Sequence, residues 1–382
     1  MASFQKIFYR EEDNVKHIVF LEQYGSLGGG QQVLLELVRA ALHSGFQATV
    51  LIPEGPCVDR LRALGAQVVV VPECRLSQGK KGIADIFRFA WYGSRTFLSH
   101  ISLLRHAGLI YVNGNRLLPV ALLAQLLLGR KAAYHIHLNH GGLERKLFLL
   151  TLRLKSTRAL VLPSEFIRRE LLAADARFAD PRVQVVPNGL DARFSDIPFQ
   201  DRFTGRPLQH IGIVGRVSPE KGQDVLIPLA KHFPQLQFHV LGDAAFSSED
   251  YYERLKREAP ENVHFHGWVD DLPAKVNEIG LQVCLVPSRV KEAAPLVPLQ
   301  MAALSCLVIV RKLGALEDVA RELGLGMFEK DEELPLMLSK NIDFEEGNLY
   351  LLVHSSFEKN IERYSNSTFC IRLKNNINHL FF

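Results

Sequence analysis

S-R-V-K-E-A-A-P-L-V-P-L-Q, Ser288 to Gln300, follows the apolar run Val283–Val286 and leads into Met301-Ala-Ala-Leu304. An apolar run of this length reads as a buried strand, and Met-Ala-Ala-Leu favours helix. The stretch is therefore a strand, a loop carrying one acid, Glu292, and the start of a helix. A helix start presents free backbone N–H groups and the positive end of the helix dipole, which suits a phosphate. Gln300, about two helical turns past Glu292, is a polar residue in apolar surroundings. Taken alone, the same residues also allow a solvated Glu and a Gln on the outer face of its helix.

The strand–loop–helix unit recurs along the chain. His17–Glu22 reads as a first strand, Gly25-Ser-Leu-Gly28-Gly29-Gly30 as a turn, and Gln31–His43 as a helix with Val33, Leu34, Leu37, Val38 and Ala41 at helical spacing. Ala48–Ile52, Val68–Val71, Leu109–Asn113, Ala132–Asn139, Ala159–Pro163 and Val183–Val186 read as further strands, with helices over Val58–Leu64, Leu117–Leu128, Lys146–Thr157 and Ser164–Leu172. Leu190–Gln209 is polar and holds Pro198, Gly205 and Pro207, so it reads as a linker. Beyond it the pattern restarts. His210–Val214 is a strand, Gly215–Gly222 a loop, Gln223–Lys231 a helix, and Gln237–Gly242, Val263–Gly267, Gln282–Val286 and Leu307–Val310 are later strands. Strands alternating with helices give parallel sheets covered on both faces, so the fold class is α/β with two domains, each on a parallel sheet. The expected divisions are residues 1–195, residues 205–340, and C-terminal helices over 341–382 that pack back on the first domain.

Within that frame Arg216 and Lys221 fall in a loop at the carboxyl end of a strand, where open α/β sheets bind ligands. Arginine suits forked contacts with phosphate oxygens and lysine supplies a compact charge. Two surface cations in a turn fit the same residues. The Gly28, Gly29, Gly30 turn permits positive φ and close backbone approach, but G-x-x-G-G-G is not a dinucleotide fingerprint. His135 and His137 share one strand face, with His140 following, and they lack the carboxylate or cysteine that would complete a metal set, so no metal is expected.

Composition narrows the classes. The chain has 382 residues, 47% apolar, with a net charge of +4. Residues 80–170 carry 15 Lys/Arg against 4 Asp/Glu, which suits an anionic partner such as a membrane surface or a charged substrate. No nucleic-acid motif accompanies them, and nucleic acid is not an expected partner. Around Lys80-Lys81, Arg88, Arg95 and Arg105 stand Ile83, Phe87, Phe89, Trp91, Tyr92 and Phe97, a mixture able to seat at a lipid interface or to form an ordinary core. Five scattered cysteines read as reduced, mostly buried thiols, and Met1–Asn14 has no apolar segment, so a cytoplasmic protein is expected, peripheral at the inner face of the membrane where it meets lipid.

G-R-V-S-P-E-K-G at Gly215–Gly222 and P-S-R-V-K-E-A-A-P-L-V-P-L-Q-M-A at Pro287–Ala302 resemble the retaining GT-B glycosyltransferases of family 4, the group-1 glycosyltransferases. So do S-L-G-G-G-Q-Q-V-L-L-E-L near the start, V-L-P-S-E-F-I-R at Val161–Arg168, V-V-P-N-G-L-D at Val185–Asp191 and H-G-W-V-D-D-L at His266–Leu272. The likeness covers nearly the whole chain in order and weakens after about residue 330. It implies a GT-B fold of two Rossmann-like domains facing a cleft, with the sugar nucleotide, a UDP- or GDP-sugar, on the C-terminal domain and the acceptor on the other. Carried over by position, Arg216 and Lys221 hold the donor diphosphate, and Glu292 contacts sugar hydroxyls beside Ala293, Ala294 and Leu296. Gln300 stands where the family has a ribose-binding Glu. The resemblance further implies that Gly28, Gly29 and Gly30 approach the diphosphate and that His137 reaches the transferred sugar. It implies no cofactor and no metal. Configuration is retained, with the leaving phosphate taking the acceptor proton.

Three positions depart from the family pattern: Gln300 for Glu, Ala294-Pro295 for Phe-Gly, and Leu313-Gly314 for Gly-Gly. Pro295 removes a backbone N–H, and Gln300 can bond a ribose without charge assistance. The leading expectation is transfer of a sugar from a nucleotide-diphosphate donor to a glycan or lipid-linked glycan, of the kind used in polysaccharide or lipopolysaccharide biosynthesis. The alternatives are a catalytically impaired sugar-nucleotide- or glycan-binding homologue and a sugar-nucleotide epimerase.

Overall fold

The computed structural model describes residues 17–74, 82–137, 142–190, 192–195, 197–244, 249–342 and 354–359. The chain divides into two compact units, the first ending at Pro187 and the second beginning at Asn188.

In the first unit seven strands, β1 (His17–Leu21), β2 (Gln47–Ile52), β3 (Gln67–Val70), β4 (Leu109–Val112), β5 (Ala132–His135), β6 (Thr157–Leu162) and β7 (Val183–Val185), form one sheet in the order β3-β2-β1-β4-β5-β6-β7. All its pairs are parallel. Burial on both faces explains the near-continuous apolar runs from which these strands were legible. The order reverses direction between β1 and β4, where Leu21 lies opposite Val112. A crevice opens at the carboxyl ends of strands at such a point.

Two features of this unit escape a reading from hydropathy and spacing. The apolar helix Leu118–Leu128 is not wholly buried: Leu126 and Leu127 are exposed, while Gln125 is buried. The Gln125 amide donates to Ser156 Oγ and Thr157 Oγ1, both at 3.0 Å, and accepts from the Tyr134 hydroxyl at 2.5 Å. A polar side chain inside and leucines outside invert the hydropathy reading, because a satisfied amide can occupy a core position. The basic stretch contains a long helix, Ile83–Ser99, that the spacing did not delimit. It buries Tyr92 and Phe97 and leaves Ile83, Phe87, Trp91 and Leu98 exposed. Gly93 lets it approach the neighbouring helix: a Cβ there would stand 2.4 Å from Pro119 Cβ.

The second unit has six parallel strands, β8 (His210–Val214), β9 (Gln237–Leu241), β10 (Val263–Phe265), β11 (Val283–Val286), β12 (Leu307–Arg311) and β13 (Gly326–Phe328), in the order β10-β9-β8-β11-β12-β13. Its reversal lies between β8 and β11. One face is covered by a cluster around Phe238, Leu226 and Tyr252, the other by one around Cys284, Met301 and Leu316. The stretch read as a linker packs here: Phe194 and Phe203 are buried, and the Arg202 guanidinium donates to Leu304 O at 2.8 Å and Asn277 Oδ1 at 2.6 Å. Its prolines and polar residues obscured these anchors. Glu317 lies in the first turn of the helix Ala315–Leu323. The tail helices fall outside the described residues, except that His354 and Phe357 pack edge-on against Phe199 of the second unit.

A chain of histidines crosses one edge of this sheet. His210 Nδ1 meets His239 Nε2 at 3.0 Å, and His239 Nδ1 meets His266 Nε2 at 3.0 Å. Burial, then the neighbouring His210, His266, His264 and Lys275, push the His239 pKa down to about 3. Unfolded, the same ring takes a proton near 6.5, so between these values the unfolded chain binds more protons and stability is lost as pH falls. His239 alone should cost about 1–2 kcal/mol between pH 7 and pH 5. Urea unfolding at both pH values should show a smaller loss in His239→Gln; an equal loss would mean that this ring does not set the slope.

Candidate functional site

The C-terminal site is assembled from the loops after β8 and β11, on either side of the reversal. The β8 loop turns on Gly215 and Gly222, with φ of 129° and 73°. A Cβ on Gly222 would come 2.7 Å from Pro287 O, so only glycine lets the two loops lie together. Gln223, buried behind the loop, braces it: its amide donates to Arg216 O at 2.8 Å and accepts from Ser218 N at 3.2 Å. Arg289 ties the second loop to the first. Its backbone N–H donates to Glu220 O at 2.7 Å, and its guanidinium forks onto Asp224 at 2.7 and 2.8 Å.

On this frame Lys221 Nζ donates to Glu292 Oε1 at 2.8 Å, and Ser288 Oγ donates to the same oxygen. Glu292 is largely buried, with 14% of its side chain exposed, and its backbone is held by a bridge to Gly314 and by Ala315 N donating to its carbonyl at 3.1 Å. The two expected residues thus form one ion pair, drawn from positions far apart in sequence. Arg216 is more open, with 40% of its side chain exposed and Glu220 at 3.0 Å. Gln300 is buried, so the outer-face reading of it is set aside. The helix it occupies is short, Val297–Ala303, with proline at its second position. Pro295 and Pro298, just before and inside its first turn, have no backbone N–H to offer.

The first unit holds its own polar cluster at the β1/β4 reversal. Glu22, directly after β1, is fully buried. Its Oε1 accepts from Gln23 N at 2.7 Å, Tyr24 N at 3.0 Å and Gln31 Nε2 at 2.9 Å. Its Oε2 accepts from Asn113 Nδ2, directly after β4, at 2.6 Å. Burial pushes the carboxyl up to about 7 against the pull of these four donors. Asn113 Nδ2 also donates to Gly30 O at 3.1 Å, and Asn113 Oδ1 meets His137 Nε2 at 2.8 Å. The His137 ring stacks on His135 at 4.2 Å, and burial holds His135 well below the usual histidine range.

The glycine turn works differently from the expectation. Gly28 is the N-cap of the helix Gly29–His43 in an extended conformation, and Gly28, Gly29 and Gly30 all lie outside the positive-φ region. Gly30 faces His137 without crowding it: a Cβ there would sit 3.8 Å from His137 Cδ2, an ordinary contact. Glu22, Asn113 and Gln223 were missed in the sequence. Each is a polar residue at or just beyond a strand or loop end at a reversal point, and that position was the available signal. Among the described residues no group of three or more His, Cys, Asp or Glu is arranged to hold a metal ion.

Both units match known proteins. Residues 201–344 match the family described as glycosyl transferases group 1, and residues 28–189 match the glycosyl transferase 4-like domain. The chain belongs to the group-1, family 4 glycosyltransferases, a family of retaining nucleotide-sugar enzymes with the GT-B fold. Anabaena HepE, solved in complex with UDP-glucose, superposes with a TM-score of 0.76 at 19% identity, covering 95% of this chain and 99% of that one. The lipopolysaccharide outer core galactosyltransferase WaaB gives 0.65 at 16%, covering 94% and 99%. In sequence, an uncharacterized 41.2 kDa protein in the cps region of Klebsiella pneumoniae is 32% identical over 32% of this chain and 33% of its own length. Glycogen synthase 1 of Methylococcus capsulatus is 33% identical over 29% of this chain, and the match spans 23% of that enzyme.

Proposed function

We propose that this chain transfers a sugar from a nucleotide-diphosphate donor, a UDP- or GDP-sugar, to a glycan or lipid-linked glycan with retention of anomeric configuration. The observation that carries the reading is the Lys221–Glu292 pair at the reversal point of the C-terminal sheet. A diphosphate arriving there meets Lys221 and the more open Arg216, which offset charge as it leaves. Glu292 then accepts from sugar hydroxyls and Gln300 from the ribose. His137, on the N-terminal unit, contacts the transferred sugar, and the departing phosphate takes the acceptor proton. HepE, which shares the fold, was solved with UDP-glucose, which supports a sugar nucleotide as donor.

The acceptor is proposed to lie at an anionic membrane surface. The exposed Ile83, Phe87, Trp91 and Leu98 recur at helical spacing along Ile83–Ser99, and the Arg95 guanidinium lies 5.2 Å from the Trp91 ring centroid. Such a face seats in a headgroup layer, and each interfacial cation contributes on the order of 1 kcal/mol near an anionic leaflet. Among the described residues no helix is long and apolar enough to cross a membrane.

One experiment tests both parts. Purified protein is incubated with a panel of sugar nucleotides, with and without anionic liposomes carrying lipid-linked acceptor, and nucleotide diphosphate release and co-sedimentation are followed. Release with one donor, raised by liposomes at low salt, is expected. Binding of a donor without release would indicate an impaired homologue. No sedimentation with anionic vesicles at low salt would leave a soluble acceptor.

A further inference from the structure

We infer that Glu22 is a positioning residue that, through Asn113, fixes the tautomer and orientation of His137. The inference rests on the reading above insofar as His137 serves the transferred sugar; the relay itself stands on the geometry of the first unit.

The hydrogen bonds leave one consistent assignment. The Glu22 carboxylate accepts from two backbone N–H groups, the Gln31 amide and Asn113, all four of them N–H donors. Asn113 must therefore turn Nδ2 toward Glu22, and that same Nδ2 satisfies Gly30 O at 3.1 Å. A flipped amide would set Oδ1 against two acceptors. With Nδ2 committed, Oδ1 points at His137 Nε2, 2.8 Å away, and an amide oxygen can only accept. His137 therefore carries a proton on Nε2, the atom that faces Asn113. A carboxylate that holds a histidine tautomer through an intervening side chain is the same physics as a direct carboxylate–histidine pair, one bond longer.

The placement favours this reading over a merely buried acid. Glu22 and Asn113 stand directly after the two strands that flank the reversal, where a ligand crevice opens, and 91 residues separate them in sequence. Gly30, whose carbonyl closes the network, faces the His137 ring, which a Cβ built on it would meet at 3.8 Å. The carboxylate is thus built into the wall that presents His137.

Glu22→Gln is the informative change because it keeps the shape. The backbone N–H groups of Gln23 and Tyr24 require an acceptor, so the Gln oxygen takes their side and its NH2 faces Asn113. Asn113 then flips to accept from it, giving up its bond to Gly30 O, its own NH2 faces His137, and His137 Nε2 must accept. In full-length protein labelled with 15N-histidine, with the His137 signal assigned by its loss in His137→Gln, the parent should show the Nε2–H pattern. Glu22→Gln should shift His137 toward Nδ1–H and lower kcat by at least about tenfold while donor KM moves by less than about twofold. Adding Asn113→Asp supplies an acceptor to both neighbours and should restore the Nε2–H signal and part of kcat. If Glu22→Gln does not fold, Asn113→Ala, which removes the acceptor, should give a tautomer mixture. An unchanged Nε2–H signature in a folded Glu22→Gln or Asn113→Ala protein overturns the relay. A shifted tautomer with kcat unchanged overturns the link to transfer, whereas a parent that turns over no sugar nucleotide at all sinks the transferase reading and leaves the relay to be judged by the tautomer.

Discussion

Lys221→Ala and Glu292→Gln are each expected to lower kcat/KM for the sugar nucleotide by about 10²–10³, and the double variant to lose little beyond the worse of the two. The expectation follows from the 2.8 Å contact between Lys221 Nζ and Glu292 Oε1, with Ser288 on the same oxygen. Removing the ammonium leaves a largely buried carboxylate without its counter-charge, so Glu292 is no longer held for a sugar hydroxyl. Removing the carboxylate charge frees Lys221 to wander from the diphosphate. Each change disables the other residue, and residues that act as a unit are strongly non-additive. Arg216→Ala should cost less, since its pairing with Glu220 is at the surface, where an ion pair is worth roughly 0–1 kcal/mol. Steady-state kinetics on the four proteins of the cycle, with unchanged circular dichroism, measures the coupling. Losses that multiply in the double variant would mean that Lys221 and Glu292 act independently and that the ion pair is a bystander.

The sequence disclosed the architecture well for a definite reason. A parallel strand buried on both faces has no solvent side, so it appears as an uninterrupted apolar run, and Val283–Val286 or His210–Val214 can be delimited by eye. The C-terminal candidates Arg216, Lys221 and Glu292 could be located in short loops after those runs, but spacing left them open to a plain surface reading, and the family resemblance singled them out. What connects them was not legible: Gln223 and Arg289 brace the loops through bonds to backbone groups, and a backbone partner leaves no trace in residue identity. Glu22 and Asn113 were hidden by distance, since each alone is one polar residue after a strand. Gln125 and the exposed Leu126 and Leu127 show the converse failure, where hydropathy pointed to burial and a three-partner amide took the core instead.

The second large effect concerns a residue with no chemistry. Gly242, directly after β9, has φ of 156°, and a Cβ built on it would stand 1.9 Å from Gly215 O. The two backbones pass this close because Gly215 N donates to Leu241 O and Val217 N to Asp243 O, both at 2.9 Å, lashing the Gly215–Gly222 loop to the end of β9. In Gly242→Ala the obstacle is a backbone carbonyl that cannot rotate away, so the loop must lift and these bonds must lengthen. The change should cost about 3 kcal/mol or more, combining backbone strain with lost hydrogen bonds. Gly205→Ala is the matched control: its φ is 68° but nothing lies within 4 Å of its Cβ, so only the left-handed conformation is penalised, by about 1 kcal/mol. Urea unfolding should separate the two variants by about 2 kcal/mol. The lifted loop also carries Arg216 and Lys221, so Gly242→Ala should lose the thermal shift that a sugar nucleotide gives the parent, while Gly205→Ala should keep it. Equal stability and equal donor shifts in the two alanine variants would show that the contact relaxes freely and that the close crossing does not hold the loop in place.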